Sequence, residues 1–373
     1  MRKSLLFILV SLIVPAVSFA STITLGDYEH VVIDANAYAT GVHVVDANTR
    51  VYVGYRLNGD TPIAMQWTVT TTGGSTNVVS HDLANGTGFM PAGIAGNGAD
   101  YWVVAGYGDA TGDHGQAWHS TDLANPINPT GLTNAHNVML FAVNAAGTAT
   151  GASGGTGSIT WSAFDGPRFI GNVGQVGTGY GIDASGDLVT GQVGLNGSGV
   201  FVTSLWYQGS LILEENVASI GLDVETVLGD IFVTGQRDGY AGYWENNAWN
   251  ALTDDSGNAL QGALVTLTDN GWMGGYIGDR GVLYNSTWST SDWLYADDYW
   301  GLDYGTILSI NGLDYFGDQL YGAGMGSAHE LQTQFTDPGG AVVPEPATAV
   351  LVAMGLVGTL VTRRHSKAKA EKA

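Results

Sequence analysis

Tyr180-Gly181-Ile182-Asp183-Ala184-Ser185-Gly186-Asp187-Leu188-Val189-Thr190-Gly191, followed shortly by Phe201-Val202-Thr203-Ser204-Leu205-Trp206, is the segment from which the architecture can be read. An apolar, β-branched run leaves an Asp-Ala-Ser-Gly turn and stops at Gly191, and a second apolar run closes on Trp206. That is the pattern of a short hairpin. The same pattern returns on both sides of it. Gly54, Gly106, Gly151, Gly191, Gly235, Gly274 and Gly322 end comparable first runs, and Trp67, Trp118, Trp161, Trp206, Trp244 and Trp288 close comparable second runs. The tryptophans recur every 38 to 51 residues. One hairpin cannot bury its own face, so this period asks for units of about four short strands packed on their neighbours. The expectation is an all-β, β-propeller-like array of four-stranded repeats of about 40–50 residues over residues 21–335, with the tryptophans as core. Seven glycine positions favour seven blades, with six as the alternative.

Turn chemistry precedes most units. Val45-Asp46-Ala47-Asn48, Ile94-Ala95-Gly96-Asn97-Gly98, Val143-Asn144-Ala145-Ala146-Gly147, Leu267-Thr268-Asp269-Asn270-Gly271 and Ile310-Asn311-Gly312 place an Asx or a glycine where the chain must reverse. The fifth unit keeps Asp223 but has Val224-Glu225-Thr226 in place of the glycine turn. Residues 22–33 form a strand candidate ahead of the first unit, placed to pair with residues 331–335 and complete the last blade. Gly181 to Gly191 as quoted, with His114-Gly115-Gln116-Ala117-Trp118, resembles the extracellular HAF-type repeat, a resemblance that covers residues 37–335. It implies a propeller-like array and no settled activity.

The termini speak about export. Arg2 and Lys3 precede an apolar run over residues 5–17 and then Ser18-Phe19-Ala20, the layout of a signal peptide of residues 1–20 for a signal peptidase. Residues 336–343 read as a linker. Val343-Pro344-Glu345-Pro346 leads into an apolar stretch at 347–361, then Arg363-Arg364-His365 and three lysines. The prolines keep the helix from starting early, the stretch is long enough for a short transmembrane helix, and the basic cluster puts its end inside the cell. This triad resembles the PEP-CTERM sorting signal, here residues 344–373. The resemblance implies recognition by an exosortase of Gram-negative bacteria at Pro344, Glu345 and Pro346, with Arg363 and Arg364 as the basic flank. It also implies a transient membrane anchor, then release or attachment at the cell surface, alongside exopolysaccharide.

The chain has no cysteine, so an exported domain must be stabilised by burial rather than by disulfides. Between the terminal segments stand 32 acidic residues against Arg50, Arg56, Arg168, Arg237 and Arg280, a balance that repels nucleic acid and anionic membrane. Asp109, Asp113, Asp297 and Asp298 supply hard oxygen ligands for a divalent cation such as calcium, without a known calcium-loop spacing. No other cofactor is expected. Trp293, Tyr295, Tyr299 and Trp300 alternate with Asp292, Asp297, Asp298 and Asp303, a composition suited to stacking on sugar rings and bonding sugar hydroxyls. The other reading of that segment is packing between blades. No H-E-x-x-H and no thiol nucleophile is present, and no carboxylate pair stands out, so no residue is assigned as catalytic. The sequence thus points to an exported, non-enzymatic propeller that binds polysaccharide or protein; the alternative is a secreted glycan-cleaving propeller enzyme.

Overall fold

The computed structural model describes residues 24–109, 112–129, 138–153, 157–162, 166–170, 177–194, 200–285, 293–296, 307–325 and 328–336. After β1 (Thr24–Asp34), the first sheet is made by β2 (Ala37–Asp46), β3 (Thr49–Asn58), β4 (Thr61–Thr72) and β5 (Ser75–Thr87). The second has three strands, β6 (Met90–Asn97), β7 (Asp100–Asp109) and β8 (Gly112–His119), with a single bridge from Ala117 to Ile127 in the fourth place. The third holds β9 (Val138–Val143), β10 (Thr148–Ser153), β11 (Gly157–Ser162) and β12 (Gly166–Phe169). The fourth holds β13 (Gly177–Ile182), β14 (Leu188–Gly194), β15 (Phe201–Tyr207) and β16 (Ser210–Glu214). The fifth holds β17 (Ser219–Val227), β18 (Asp230–Arg237), β19 (Tyr240–Glu245) and β20 (Ala248–Ala251). The sixth holds β21 (Gly262–Leu267), β22 (Trp272–Ile277), β23 (Arg280–Asn285) and β24 (Leu294–Tyr295). The seventh joins β25 (Ser309–Phe316), β26 (Gln319–Met325) and β27 (Ala328–Thr336) to β1, which runs antiparallel to β27.

This is an all-β propeller of small antiparallel sheets, in which each sheet runs outward from its first strand and packs on the next. Apolar clusters straddle successive junctions: Val53 with Val103 and Trp118, Val104 with Leu140, and Leu205 with Val224 and Val233. The last junction is closed by Tyr321 and Ala323 against Ala37, Ala39 and Trp67. Pairing of His30 with Leu331 and Leu25 with Phe335 places the N-terminal strand on the C-terminal one, as the sequence suggests.

The tryptophans occupy one site. Trp67, Trp118, Trp161, Trp206 and Trp244 each lie on the third strand, opposite Tyr52, Val103, Ala149, Val189 and Val233 of the second. Trp67, Trp118, Trp206 and Trp244 are buried to within 2% of full exclusion. Two indoles also tie sheets together, since Trp118 Nε1–H donates to Ala84 O at 3.0 Å and Trp244 Nε1–H to Glu215 Oε1 at 2.7 Å. In the sixth sheet the equivalent residue is Tyr284, opposite Met273; Trp288 lies outside the described residues.

The repeating glycines have a cause that the sequence does not reveal. Each first strand carries a bulge at the same station, with one extra residue: Thr40, Ala92, Phe141, Tyr180, Leu222, Val265 and Asn311. The residue facing the start of the bulge on the second strand is Gly54, Ala105, Gly151, Gly191, Gly235, Gly275 or Gly324. A Cβ at Gly54, Gly151 or Gly191 would collide with the carbonyl oxygen of Tyr38, Met139 or Thr178. The glycines therefore sit inside strands and do not end them, and Gly106, Gly274 and Gly322 stand one or two residues off the shared station. Other register readings shift as well. Ile310-Asn311-Gly312 lies within β25 at its bulge, and the chain turns later, at Gly317 (φ 60°). In the fifth sheet β17 continues through Val224-Glu225-Thr226 and reverses at Leu228-Gly229, both with positive φ, which makes a two-residue hairpin of the type that matches strand twist.

Candidate ligand channel

The first strands of all seven sheets surround a channel of about 600 Å³. Bulges re-aim side chains, and here all seven extra residues line the channel. Phe141 and Tyr180, from adjacent sheets, stand with ring centroids 5.1 Å apart and planes at 56°. The Tyr180 hydroxyl accepts a hydrogen bond from Gln192 Nε2 at 3.1 Å, which holds that ring in place.

Farther along the same strands the lining turns acidic. Asp223 of β17 uses both carboxylate oxygens on backbone: Oδ2 accepts from Leu267 N–H of the next sheet at 2.8 Å and Oδ1 from Val224 N–H at 2.9 Å. Asp314 of β25 repeats the device at the ring closure, accepting from Val44 N–H at 2.7 Å and Tyr315 N–H at 2.8 Å. His43 of the first sheet reaches both neighbours, with Nδ1 3.4 Å from Asp314 Oδ2 across the ring closure and Nε2 2.8 Å from Gly98 O of the second sheet. Asn144 of the lining is bound into its own turn by Thr148 N–H at 3.0 Å, and Asp183, buried behind the lining, is held in the same way by Leu188 N–H at 2.9 Å. Glu225 differs, since its one hydrogen bond among the described residues is from Ala184 N–H to Oε2 at 3.4 Å.

Burial raises the Asp223 carboxyl to about 7, against the pull of the Leu267 and Val224 amides. Glu225 is raised to about 8 by burial first and then by the Asp223 charge, with Asp183 and Asp269 adding to it and the Ala184 amide opposing. The Tyr315 phenol is raised by burial, by its hydrogen bond to Asp269 and by the surrounding carboxylates. The channel therefore presents the Glu225 carboxyl and the Tyr315 phenol in neutral form near neutral pH, able to donate as well as accept hydrogen bonds.

The residues singled out from sequence stand elsewhere. Trp293 and Tyr295, at β24, are half-buried against the core shared by the fifth and sixth sheets. Trp293 Nε1–H donates to Thr253 O at 3.1 Å, the two rings meet edge to face at 78° with centroids 4.5 Å apart, and the Arg280 guanidinium lies 3.5 Å over the Tyr295 ring. These two rings do not make the coplanar, open platform that stacking on a sugar needs, because their faces are taken by packing and by the cation. Tyr299, Trp300, Asp297 and Asp298 lie outside the described residues, as do Pro344, Glu345, Pro346, Arg363 and Arg364. Asp109 and Asp113 fall at the end of the β7–β8 hairpin, paired with Gly112 and Gly108. Among the described residues no group of three His, Asp or Glu is placed to hold a metal ion, and no helix is long and apolar enough to cross a membrane. Gly151-Ala152-Ser153-Gly154-Gly155 has the spacing of a hydrolase nucleophile turn, but Gly151, Ala152 and Ser153 lie in β10, paired on both sides, where no strand-to-helix elbow can form.

The channel acids were not singled out from sequence because Asp223, Asp269 and Asp314 come from three different sheets, in turns or strands that look alike. No family model and no curated protein matches the chain. Among solved structures it is similar to the computationally designed Ika8 protein at 13% identity, covering 82% of this chain and 98% of that one, with a TM-score of 0.48. It is also similar to Sqt1 from Chaetomium thermophilum at 11% identity, covering 80% and 83%, with a TM-score of 0.42.

Proposed function

We propose that this chain is an exported surface or matrix protein whose propeller binds polysaccharide in its central channel. The observation that supports binding is the channel itself, where the Phe141 and Tyr180 rings and the carboxyl and phenol groups of Glu225, Asp269 and Tyr315 line one cavity. Apolar ring faces plus convergent hydrogen-bonding groups are what a sugar requires. A glycan array probed with the exported protein tests this reading, and an array with no retained sugar would remove it. Export rests on the sequence of the termini, Arg2-Lys3 with the apolar run behind them and Pro344-Glu345-Pro346 with its apolar stretch and basic flank. Signal peptidase and an exosortase would be the processing partners, and the membrane a temporary one. Mass spectrometry of the protein from its host should find a mature chain that starts near Ser21 and lacks Ala347 onward; recovery of Arg363 and Arg364 on the mature protein would count against processing.

A second reading, a glycan-cleaving enzyme, is favoured by the carboxyls of Asp223 and Glu225, which stay protonated into the neutral range as a general acid must. Binding is preferred because both Asp223 oxygens are already engaged with backbone amides. Release of reducing ends from a retained polysaccharide, abolished by Glu225→Gln, would reverse that preference.

A further inference from the structure

The bulge station divides the channel wall into two arcs. In order around the ring, Ala92, Phe141, Tyr180, Leu222 and Val265 make an unbroken apolar arc over five consecutive sheets, and Asn311 and Thr40 fill the remaining two places. Thr40 is turned to structure, its hydroxyl donating to Pro91 O at 2.7 Å. All five apolar residues keep exposed surface, while strand neighbours such as Leu140 and Leu264 are fully excluded from water. Leaving apolar area in a water-filled channel forgoes about 25 cal/mol per Å² of burial. An ordinary core arrangement would have closed over these side chains, so the arc has the character of a surface kept for a ligand.

The same channel has a one-sided charge. No lysine or arginine lines it among the described residues, and its titratable lining comprises acids, tyrosines and His43. A polyanion would meet only repulsion there. A cation is also poorly served, because the carboxylates of Asp223 and Asp314 already have backbone amides as partners and Asp269 is hydrogen-bonded to the Tyr315 phenol. Burial then keeps Glu225 largely neutral. From the bulge to Glu225 is three residues along β17, roughly 10 Å at strand rise, about the length of two linked sugar rings.

We propose that the channel takes an uncharged polysaccharide, its ring faces against the Phe141, Tyr180 and Leu222 arc and its hydroxyls toward Glu225, Asp269 and Tyr315. This rests on the glycan-binding reading and adds the charge class and the residues that select it. The test is a printed panel of neutral, amine-bearing and uronate oligosaccharides, probed with the full chain in detergent, followed by titration of the best neutral member. Neutral members should be retained, with uronates weaker by at least about tenfold. Tyr180→Ala and Phe141→Ala should each weaken the neutral member about fivefold, and Tyr180→Phe should keep its affinity. If Tyr180→Ala fails to fold by circular dichroism, Tyr180→Leu, which keeps the bulk but not the ring, takes its place. Retention of uronates as strong as that of neutral sugars, tighter retention of amine-bearing sugars, or unchanged affinity in folded ring variants would overturn the inference while leaving glycan binding intact. A panel with nothing retained would remove the glycan reading itself, and this inference with it.

Discussion

Glu225 sits among Asp223, Asp183 and Asp269 with one backbone amide as a partner, and burial with those charges lifts its carboxyl from 4.5 to about 8. Between these values the folded chain holds a proton that the unfolded chain has released. Stability from this group is therefore full below about pH 4.5, falls as pH rises toward 8, and is flat above. Asp223, lifted from 3.8 to about 7, contributes with the same sign over its own window. Glu225→Gln removes the Glu225 titration. Urea unfolding should find the variant within a few tenths of a kcal/mol of the parent at about pH 4, and more stable at about pH 8.5 by on the order of 1 kcal/mol, a figure reduced for the residue's contact with channel water. An equal difference at both pH values would show that burial does not hold this proton. At this scale the sequence was hardest to read, because Val224-Glu225-Thr226 looked like a failed turn. Its neighbours in space, Ala184 and Asp269, lie some forty residues away in each direction.

At the scale of the strand, the bulge explains both the periodic glycine and the lining of the channel. Beside the bulge the carbonyl two residues before the extra one lies against the second strand, and at five of the seven stations a Cβ on the facing glycine would strike that oxygen. Gly191→Val should therefore cost roughly 1–3 kcal/mol as an overpacked site, or flatten the bulge and withdraw Tyr180 from the channel. Ala105→Gly, at the one station that already carries a side chain, should cost about 1 kcal/mol or less. Thermal melts of the two variants side by side check the contrast, and equal losses would argue that the station imposes no steric demand. The hairpins themselves were legible. Asp183 to Gly186 forms the turn expected of it, with Gly186 at φ 78° and Asp183 accepting from Leu188 N–H, because turn chemistry needs only neighbours in sequence.

Over the whole molecule, the ring is held shut by the pairing of β1 with β27, by Tyr321 and Ala323 packed on Ala37 and Trp67, and by Asp314 bonded to Val44 N–H beside His43. A chain lacking residues 24–34 keeps every tryptophan but leaves the β27 edge open. It should lose several kcal/mol of stability and associate through that edge, since an unpaired strand is a template for another. Size-exclusion chromatography and a thermal melt of the truncated chain decide this, and a monomer with an unchanged melting temperature would show that closure does not depend on β1.

What the sequence determined by itself is the repeating unit: hairpins set by Asx and glycine turns, a tryptophan at one place in five of the units, and a first strand suited to the last. These follow from backbone preferences and side-chain alternation, which are local and recur with the unit. The tertiary structure alone decided the position of the bulges, the presence of Tyr284 at the core site the tryptophans share, the cover over Trp293 and Tyr295, and the meeting of Asp183, Asp223 and Asp269 around Glu225. Each of those depends on which atoms of a neighbouring sheet lie against a residue, and only closure of the ring brings such sheets together.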